Sequence, residues 1–310
     1  MRKLRCLAVA SIASALAVAP AAVPAQAWAR AALDKSPRHG EYVSIPEASP
    51  EVSPEASPEA SPEPGGRKLQ AWVVYPEVSR KAPVVVMIHE IFGLSDWARE
   101  MADQVAAAGY IVVEPDLLSE LGPLSAAAPS MQMAPGSGGA PYVPVKPGGT
   151  AAFPDQDAVV KAVSALPDAQ ILADLNAAAD YGKSLPASNG KLNVVGFCWG
   201  GGKSFLFATN RRDLSAAFVF YGTPPQASLM KRITAPVYGF YAGNDARVTA
   251  TVPQTISDMK AAGKVYQPVI YPGAGHGFMR AGEAPDANAA NAAAQKKSLR
   301  RLLRLLRSDG

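Results

Sequence analysis

Residues 193–203 read Asn-Val-Val-Gly-Phe-Cys-Trp-Gly-Gly-Gly-Lys. The valine-rich beginning is typical of a buried strand, and the part after Cys198 is typical of the start of a helix. A sharp turn between such elements exposes the side chain at its tip, while flanking glycines let neighbouring backbone approach closely. The pattern Gly-x-Cys-x-Gly therefore predicts a nucleophile elbow in which Cys198 takes the position of the more usual serine.

The position of Cys198 at a helix N-terminus predicts a reactive thiol. The helix dipole and the free N–H groups favour negative charge there, so we expect a lowered thiol pKa. The alternative is that Cys198 is a small buried hydrophobic side chain, which is common for single cysteines. Of the two cysteines in the chain, Cys6 lies in a predicted export signal, so Cys198 has no partner for an internal disulfide.

Strand-like and helix-like patterns alternate on both sides of the elbow. The 310 residues, of which 48% are hydrophobic, suffice for one large core. Alternation of this kind predicts an α/β fold with a mostly parallel sheet covered by helices on both faces. We expect one domain over residues 28–310, with strands at residues 41–45, 69–75, 83–88, 110–113, 192–195, 216–221, 237–241 and 265–271.

Residues 1–27 resemble a secretory signal peptide. A basic start precedes an apolar run over residues 6–19, and Ala25-Gln26-Ala27 matches a signal peptidase site. The apolar run is shorter than the roughly 20 residues that span a bilayer. We therefore expect a periplasmic or secreted protein without stable membrane insertion, the alternative being an uncleaved anchor. Removing the three basic residues of the signal from 30 Lys+Arg leaves 27 against 26 Asp+Glu, which gives no case for nucleic-acid binding.

Three further segments have distinctive compositions. Residues 46–66 contain a Pro-Glu-Ala-Ser repeat, which we interpret as a low-complexity insertion between two strands of one sheet, the alternative being an interdomain linker. Residues 115–154 are rich in Gly, Pro, Ser and Met and predict a long irregular loop that could form a lid. The basic, leucine-containing stretch 300–307 predicts a helix that caps the sheet, with membrane binding as the alternative.

The elbow requires a base and an acid. His276 is the one histidine downstream of Cys198, as the order nucleophile, acid, histidine requires. Asp245 follows a predicted strand between them and would orient the imidazole. Asp213 and Asp258 are rivals by order alone, since the first precedes a strand and the second lies in a predicted helix.

The oxyanion of an acyl-transfer reaction needs two N–H donors. One should come from the residue after the nucleophile, Trp199. The other should come from the loop after the third strand, His89-Glu90-Ile91-Phe92-Gly93-Leu94, where Ile91 is the expected donor.

Three motifs carry a family resemblance: residues 89–94, residues 196–201, and Gly-His-Gly-Phe-Met-Arg at residues 275–280. Together they resemble the dienelactone hydrolase (carboxymethylenebutenolidase) family of the α/β-hydrolase superfamily, over roughly residues 39–307. The resemblance implies an α/β-hydrolase fold with Cys198, Asp245 and His276 as catalytic triad.

The same resemblance implies two further roles. Glu90 would hold the resting thiol and accept its proton when substrate reorients it, and Arg280 would bind a substrate carboxylate. A second carboxylate-binding arginine is expected between strands four and five, but residues 115–160 contain none. Lys146 and Lys161 are the basic residues in and just after that segment, so the substrate need not be dienelactone itself.

These features predict hydrolysis of a small ester or lactone through an acyl-enzyme, without a metal or organic cofactor. We expect a monomer whose partner is a small-molecule substrate. A thioesterase or peptidase on the same scaffold is the enzymatic alternative, because a triad fixes the reaction class and not the leaving group. An exported binding module without catalysis is the other alternative.

Overall fold

The computed structural model describes residues 26–46, 67–124 and 140–309. The predicted signal peptide up to residue 25 and the repeat at residues 47–66 lie outside the described residues. The strands are β1 Gly40–Pro46, β2 Lys68–Val74, β3 Ala82–Ile88, β4 Ile111–Pro115, β5 Ser119–Pro123, β6 Tyr142–Gly148, β7 Ser188–Phe197, β8 Leu214–Phe220, β9 Val237–Asn244 and β10 Tyr266–Gly275. The helices are α1 Ala27–Leu33, α2 Asp96–Ala107, α3 Gln156–Ser164, α4 Asp168–Ser184, α5 Trp199–Asn210, α6 Ala227–Met230, α7 Ala246–Thr249, α8 Val252–Ala261, α9 Phe278–Ala281 and α10 Ala289–Asp309.

A mostly parallel sheet organises the described chain. Its strand order is β1-β2-β4-β3-β7-β8-β9-β10. The pairs β1–β2 and β2–β4 are antiparallel, whereas every pair from β4 to β10 is parallel. Parallel strands end at the same edge, so the carboxyl ends of β3, β7, β8, β9 and β10 bring their following residues together. The predicted α/β-hydrolase fold is confirmed.

The central strand β3 is buried on both faces. Val84, Val86 and Ile88 belong to the hydrophobic cluster that includes residues of α3 and α4. Val85 and Met87 point the other way, into the cluster that includes residues of α2 and α10. Each side chain fully removed from water stabilises the fold by about 1.5–3 kcal/mol, so a continuous apolar run is favourable only where both faces are covered.

Strands β1 and β2 flank the Pro-Glu-Ala-Ser repeat and pair with each other. Pro46 and Lys68 are register partners, and so are Ile45 and Leu69, whose side chains are both buried. The chain therefore leaves the sheet and re-enters it at adjacent positions.

The expectation of an irregular loop over residues 115–154 is wrong for its described part. Strands β5 and β6 form an antiparallel two-stranded sheet, and a short 3₁₀ turn follows at Thr150–Ala152. Residues 125–139 lie outside the described residues. The high Gly and Pro content concealed these strands, and β6 also lacks the alternation of buried and exposed positions that marks a strand in sequence.

The C-terminal helix α10 caps the sheet as expected. Leu302 and Leu306 are fully buried, while Arg301 donates hydrogen bonds to the carbonyl oxygens of Gly239 (3.0 Å) and Gln267 (2.7 Å). Arg301 thus binds backbone carbonyl groups near the beginnings of β9 and β10. None of the helices in the described part of the chain is long and apolar enough to cross a membrane.

Candidate active site

Cys198 lies in a strained turn between β7 and α5. Its φ of 55° and ψ of −117° are unfavourable for a residue with a Cβ atom, at a cost of about 1–3 kcal/mol. The flanking glycines make the turn possible. A Cβ on Gly196 would lie 2.0 Å from the carbonyl oxygen of Gly200, and a Cβ on Gly200 would lie 2.3 Å from that of His89. The Gly-x-Cys-x-Gly pattern is therefore a packing requirement of this turn.

A hydrogen-bonded chain links three of the residues singled out in the sequence. The Nε2 atom of His276 lies 3.0 Å from the Cys198 sulfur, and its Nδ1 lies 2.5 Å from Oδ2 of Asp245. Asp245 follows β9 and His276 follows β10, which are neighbouring parallel strands. Of the rival acids, Asp213 pairs with arginine and lysine side chains elsewhere, and Asp258 lies on α8.

The hydrogen bond between His276 and Asp245 determines which ring nitrogen of His276 carries a proton. A carboxylate accepts hydrogen bonds, so Nδ1 of His276 carries the proton that Asp245 accepts. In the neutral imidazole the lone pair of Nε2 then faces Cys198. This tautomer is the one that can take a proton from the thiol.

The expected lowering of the thiol pKa is wrong. Burial and then the negative charge of Glu90 raise the pKa of Cys198 to about 11. The backbone N–H groups of Trp199 and Ile91 and the charge of Arg247 act in the opposite direction and are outweighed. The raised pKa favours the protonated thiol of Cys198.

The two expected oxyanion donors reach the sulfur. Hydrogen bonds from the backbone N–H groups of Trp199 and Ile91 to the Cys198 sulfur favour its thiolate form. Ile91 belongs to the loop after β3, and Trp199 is the first residue of α5. A tetrahedral intermediate on Cys198 would place its oxygen near these groups.

A side-chain bridge holds the loop that carries Ile91. The hydroxyl of Thr150 accepts a hydrogen bond from the backbone N–H of Leu94 (3.1 Å) and donates one to Asp116 (2.8 Å). The backbone N–H of Thr150 also donates to Asp116 (2.7 Å). Gly93, with a φ of 69°, allows this close approach, because a Cβ there would lie 2.5 Å from the Thr150 hydroxyl. No sequence pattern pointed to Thr150.

Glu90 is buried near Cys198 and binds two side chains. Its Oε2 accepts a hydrogen bond from Nε of Arg280 (2.8 Å), and its Oε1 accepts one from the hydroxyl of Tyr221 (3.4 Å). Burial raises the pKa of Glu90, and the Arg280 guanidinium partly offsets this. The expectation that Glu90 holds the resting thiol is not met, because the sulfur hydrogen bonds with His276.

Tyr221 is a residue of the site that sequence reasoning missed. It is buried at the carboxyl end of β8 with a φ of 38°, and its ring lies edge-on to the His276 ring at 5.1 Å. Burial raises its pKa well above the usual value, so its hydroxyl remains a hydrogen-bond donor to Glu90. An aromatic residue that ends a parallel strand beside the elbow was the available signal.

A cavity of about 410 Å³ opens beside Cys198. One face of α5, the residues after β8, and the short helices α6 and α7 form its walls. Lys203 lies in this wall, with Nζ 2.6 Å from Asp168 and 5.3 Å from the Trp199 ring centre. Arg280 does not line the cavity and stacks its guanidinium on Phe92 at 4.8 Å.

Comparison with known proteins shows the family of this chain. The sequence profile of the Dienelactone hydrolase family matches residues 69–309. The chain belongs to the dienelactone hydrolase family. It is 29% identical over 220 residues to a carboxymethylenebutenolidase of Pseudomonas putida, covering 70% of this chain and 84% of that protein. It is 28% identical over 222 residues to a Methylorubrum extorquens protein assigned as a carboxymethylenebutenolidase, covering 68% of each.

A solved structure shares the fold of this dienelactone hydrolase family member. A Klebsiella pneumoniae chain assigned as a dienelactone hydrolase aligns with a TM-score of 0.64 and 23% identity, covering 86% of this chain and 98% of that one. Family membership makes the protein a hydrolase of carboxylic esters or lactones.

Proposed function

We propose that the chain hydrolyses small carboxylic esters or lactones through a Cys198–His276–Asp245 triad and a thioester intermediate. The hydrogen-bonded chain from Asp245 through His276 to the Cys198 sulfur carries the proposal. The proposed reaction uses neither a metal nor an organic cofactor.

Attack begins from the protonated thiol. As the sulfur bonds to the substrate carbonyl carbon, its proton passes to Nε2 of His276, and Asp245 stabilises the imidazolium. The carbonyl oxygen becomes an oxyanion that accepts hydrogen bonds from Ile91 and Trp199. When this intermediate collapses, the bond to the leaving oxygen breaks and His276 returns the proton to it.

Hydrolysis of the thioester repeats the same steps with water. His276 removes a proton from water as its oxygen attacks the acyl carbon, giving a second oxyanion against the same donors. Collapse breaks the C–S bond, releases the carboxylic acid and returns the proton to sulfur. We assign Glu90 an electrostatic role, since its charge raises the pKa of the Cys198 thiol. That charge favours the protonated thiol of the free enzyme.

Trapping the intermediate tests this proposal. The purified protein is mixed with 4-nitrophenyl acetate, quenched in acid and digested for mass spectrometry. We expect an acetyl group on the peptide that contains Cys198, a burst of 4-nitrophenol, and loss of both in Cys198→Ala. Full turnover by Cys198→Ala would refute the triad. A matched panel of lactones, oxygen esters, thioesters and anilides separates the lactonase function from the thioesterase and peptidase alternatives, and absence of any adduct favours a binding module.

We further propose that the protein is exported, on the basis of the signal-like residues 1–27. Residues on either side of the predicted cleavage site make contacts in the described structure. The side chain of Gln26 accepts a hydrogen bond from the backbone N–H of Trp97 (2.7 Å), and Ala29 is fully buried. Expression with its own N-terminus, cell fractionation and N-terminal sequencing test the proposal, and recovery of uncleaved protein in the cytoplasm would count against it.

A further inference from the structure

Arg247 is a cation beside the nucleophile, and no ionic partner for it lies among the described residues. It follows Asp245 by two residues, lies in α7 and lines the same cavity as Cys198. Within the described chain, no salt bridge or side-chain hydrogen bond engages its guanidinium, and the residue is exposed. Two other basic side chains of this region have acidic partners, because Arg280 binds Glu90 and Lys203 binds Asp168.

The cavity that Arg247 lines also has apolar side chains in its wall. Five apolar side chains are among those that line it: Leu206, Pro224, Pro225, Leu229 and Val248. Asp168 neutralises Lys203, so Arg247 supplies the uncompensated charge among the residues that line the cavity. Its volume of about 410 Å³ suits a small organic molecule. An apolar chain that ends in an anion matches this distribution.

The position of His276 decides which part of the substrate enters the cavity. His276 must reach the leaving oxygen to protonate it, and its Nε2 lies 3.0 Å from the sulfur. His276 does not line the cavity, whereas Cys198, Ile91 and Trp199 do. The leaving alcohol therefore lies on the His276 side, and the acyl chain extends into the cavity towards Arg247.

We propose that Arg247 binds a carboxylate at the far end of the acyl group, so that the preferred substrates are half-esters of aliphatic dicarboxylic acids. This inference rests on the proposed function of Cys198 as the nucleophile. A guanidinium binds a carboxylate through two parallel hydrogen bonds, which gives both affinity and orientation.

Paired substrates test this assignment. The kcat/KM values of the wild type and Arg247→Gln are measured on 4-nitrophenyl hydrogen glutarate and on neutral 4-nitrophenyl butyrate. We expect the wild type to prefer the anionic ester, and the ratio of the two kcat/KM values to fall roughly 10- to 100-fold in the variant, mainly through KM. Arg232→Gln is the matched control, because Arg232 is an exposed arginine near α6 that does not line the cavity. It should keep the wild-type ratio.

The outcomes separate this inference from the proposed function. If the wild type turns over neither ester and forms no adduct on Cys198, the proposed function fails. If it turns over butyrate but shows no preference for the glutarate ester, or if Arg247→Gln keeps the preference, the assignment of Arg247 is wrong while the triad stands. Loss of the preference in Arg280→Gln alone would place the carboxylate on Arg280. Thermal unfolding of each variant confirms that it is folded.

Discussion

Arg280 and Glu90 form an ion pair near Cys198, with Nε of the arginine 2.8 Å from Oε2 of the carboxylate. The carboxyl group is 3% exposed, whereas the arginine side chain is 32% exposed. The pair therefore joins a buried acid to a half-buried base on α9. Because the same carboxylate raises the pKa of the Cys198 thiol, the pair also links α9 to Cys198.

Arg280→Met should destabilise the protein by about 1–3 kcal/mol, because it leaves Glu90 buried without its cation. The pKa of Glu90 is already raised in the folded state, so the folded protein holds this proton more tightly than the unfolded chain. The contribution of Glu90 to the free energy of unfolding is therefore full below the ordinary carboxyl pKa. It is lost as the pH rises through the raised pKa of Glu90 in the folded protein. Urea unfolding at pH 5 and pH 8 should show a larger loss at pH 8.

The double variant Glu90→Gln, Arg280→Met provides the control for this loss. It removes both charges, so we expect it to recover most of the stability that Arg280→Met loses. Strictly additive effects of the two single changes would show that the ion pair contributes nothing to folding.

Asp245→Asn should lower kcat by about 10²- to 10⁴-fold, because an amide no longer favours the His276 tautomer that presents its Nε2 lone pair to sulfur. KM should change little. Asp258→Asn and Asp213→Asn are matched controls, since both are acids downstream of Cys198 that do not contact His276. If either control loses activity as severely as Asp245→Asn, the proposed orienting acid is wrong.

Glu90→Gln should make the free thiol more reactive. Glu90 raises the pKa of Cys198, so its removal lowers that pKa from about 11 and increases the thiolate fraction at pH 8. The rate of alkylation by iodoacetamide, followed from pH 7 to pH 10, should rise at lower pH in the variant than in the wild type. Glu77→Gln, a change of an exposed glutamate, should leave the profile unaltered. A wild-type midpoint near neutral pH would contradict the raised pKa.

Thr150→Val should lower kcat about 10-fold with little change in KM, because the Ile91 loop loses its bond through the Leu94 N–H. The variant keeps the side-chain volume but not the hydroxyl. Thr150→Ser restores the hydroxyl and should recover kcat. A serine variant as impaired as the valine variant would indicate that packing, rather than the hydrogen bond, matters at this position.

The fold and the positions of the central side chains follow from local sequence. The apolar run of β3 predicts a strand covered on both faces. The glycines around Cys198 predict the turn, because a Cβ atom on Gly196 or Gly200 would lie 2.0 Å or 2.3 Å from a backbone oxygen. The order of Cys198, Asp245 and His276 indicated which groups parallel strands bring to one edge. The structure places them within hydrogen-bond distance.

Properties that depend on residues far apart in the chain could not be predicted from local sequence. The helix N-terminus of α5 favours a lower thiol pKa, but burial and Glu90, which lies 108 positions earlier, reverse the direction. The contacts of Tyr221 and Thr150 could not be predicted locally, since each side chain makes a hydrogen bond to a residue distant in the chain. Strands β5 and β6 were missed because proline and glycine within them are typical of loops.

The raised thiol pKa has a consequence for the lifetime of the protein. Peroxides and disulfides react with thiolates, and the protonated form of a cysteine is largely inert to them. With a pKa of about 11, Cys198 presents almost no thiolate at neutral pH. A nucleophile stored in this form resists sulfenic acid formation and mixed-disulfide capture between turnovers. Burial, together with the charge of Glu90, would therefore protect the free thiol of Cys198 in an oxidising compartment such as the one to which we propose the protein is exported.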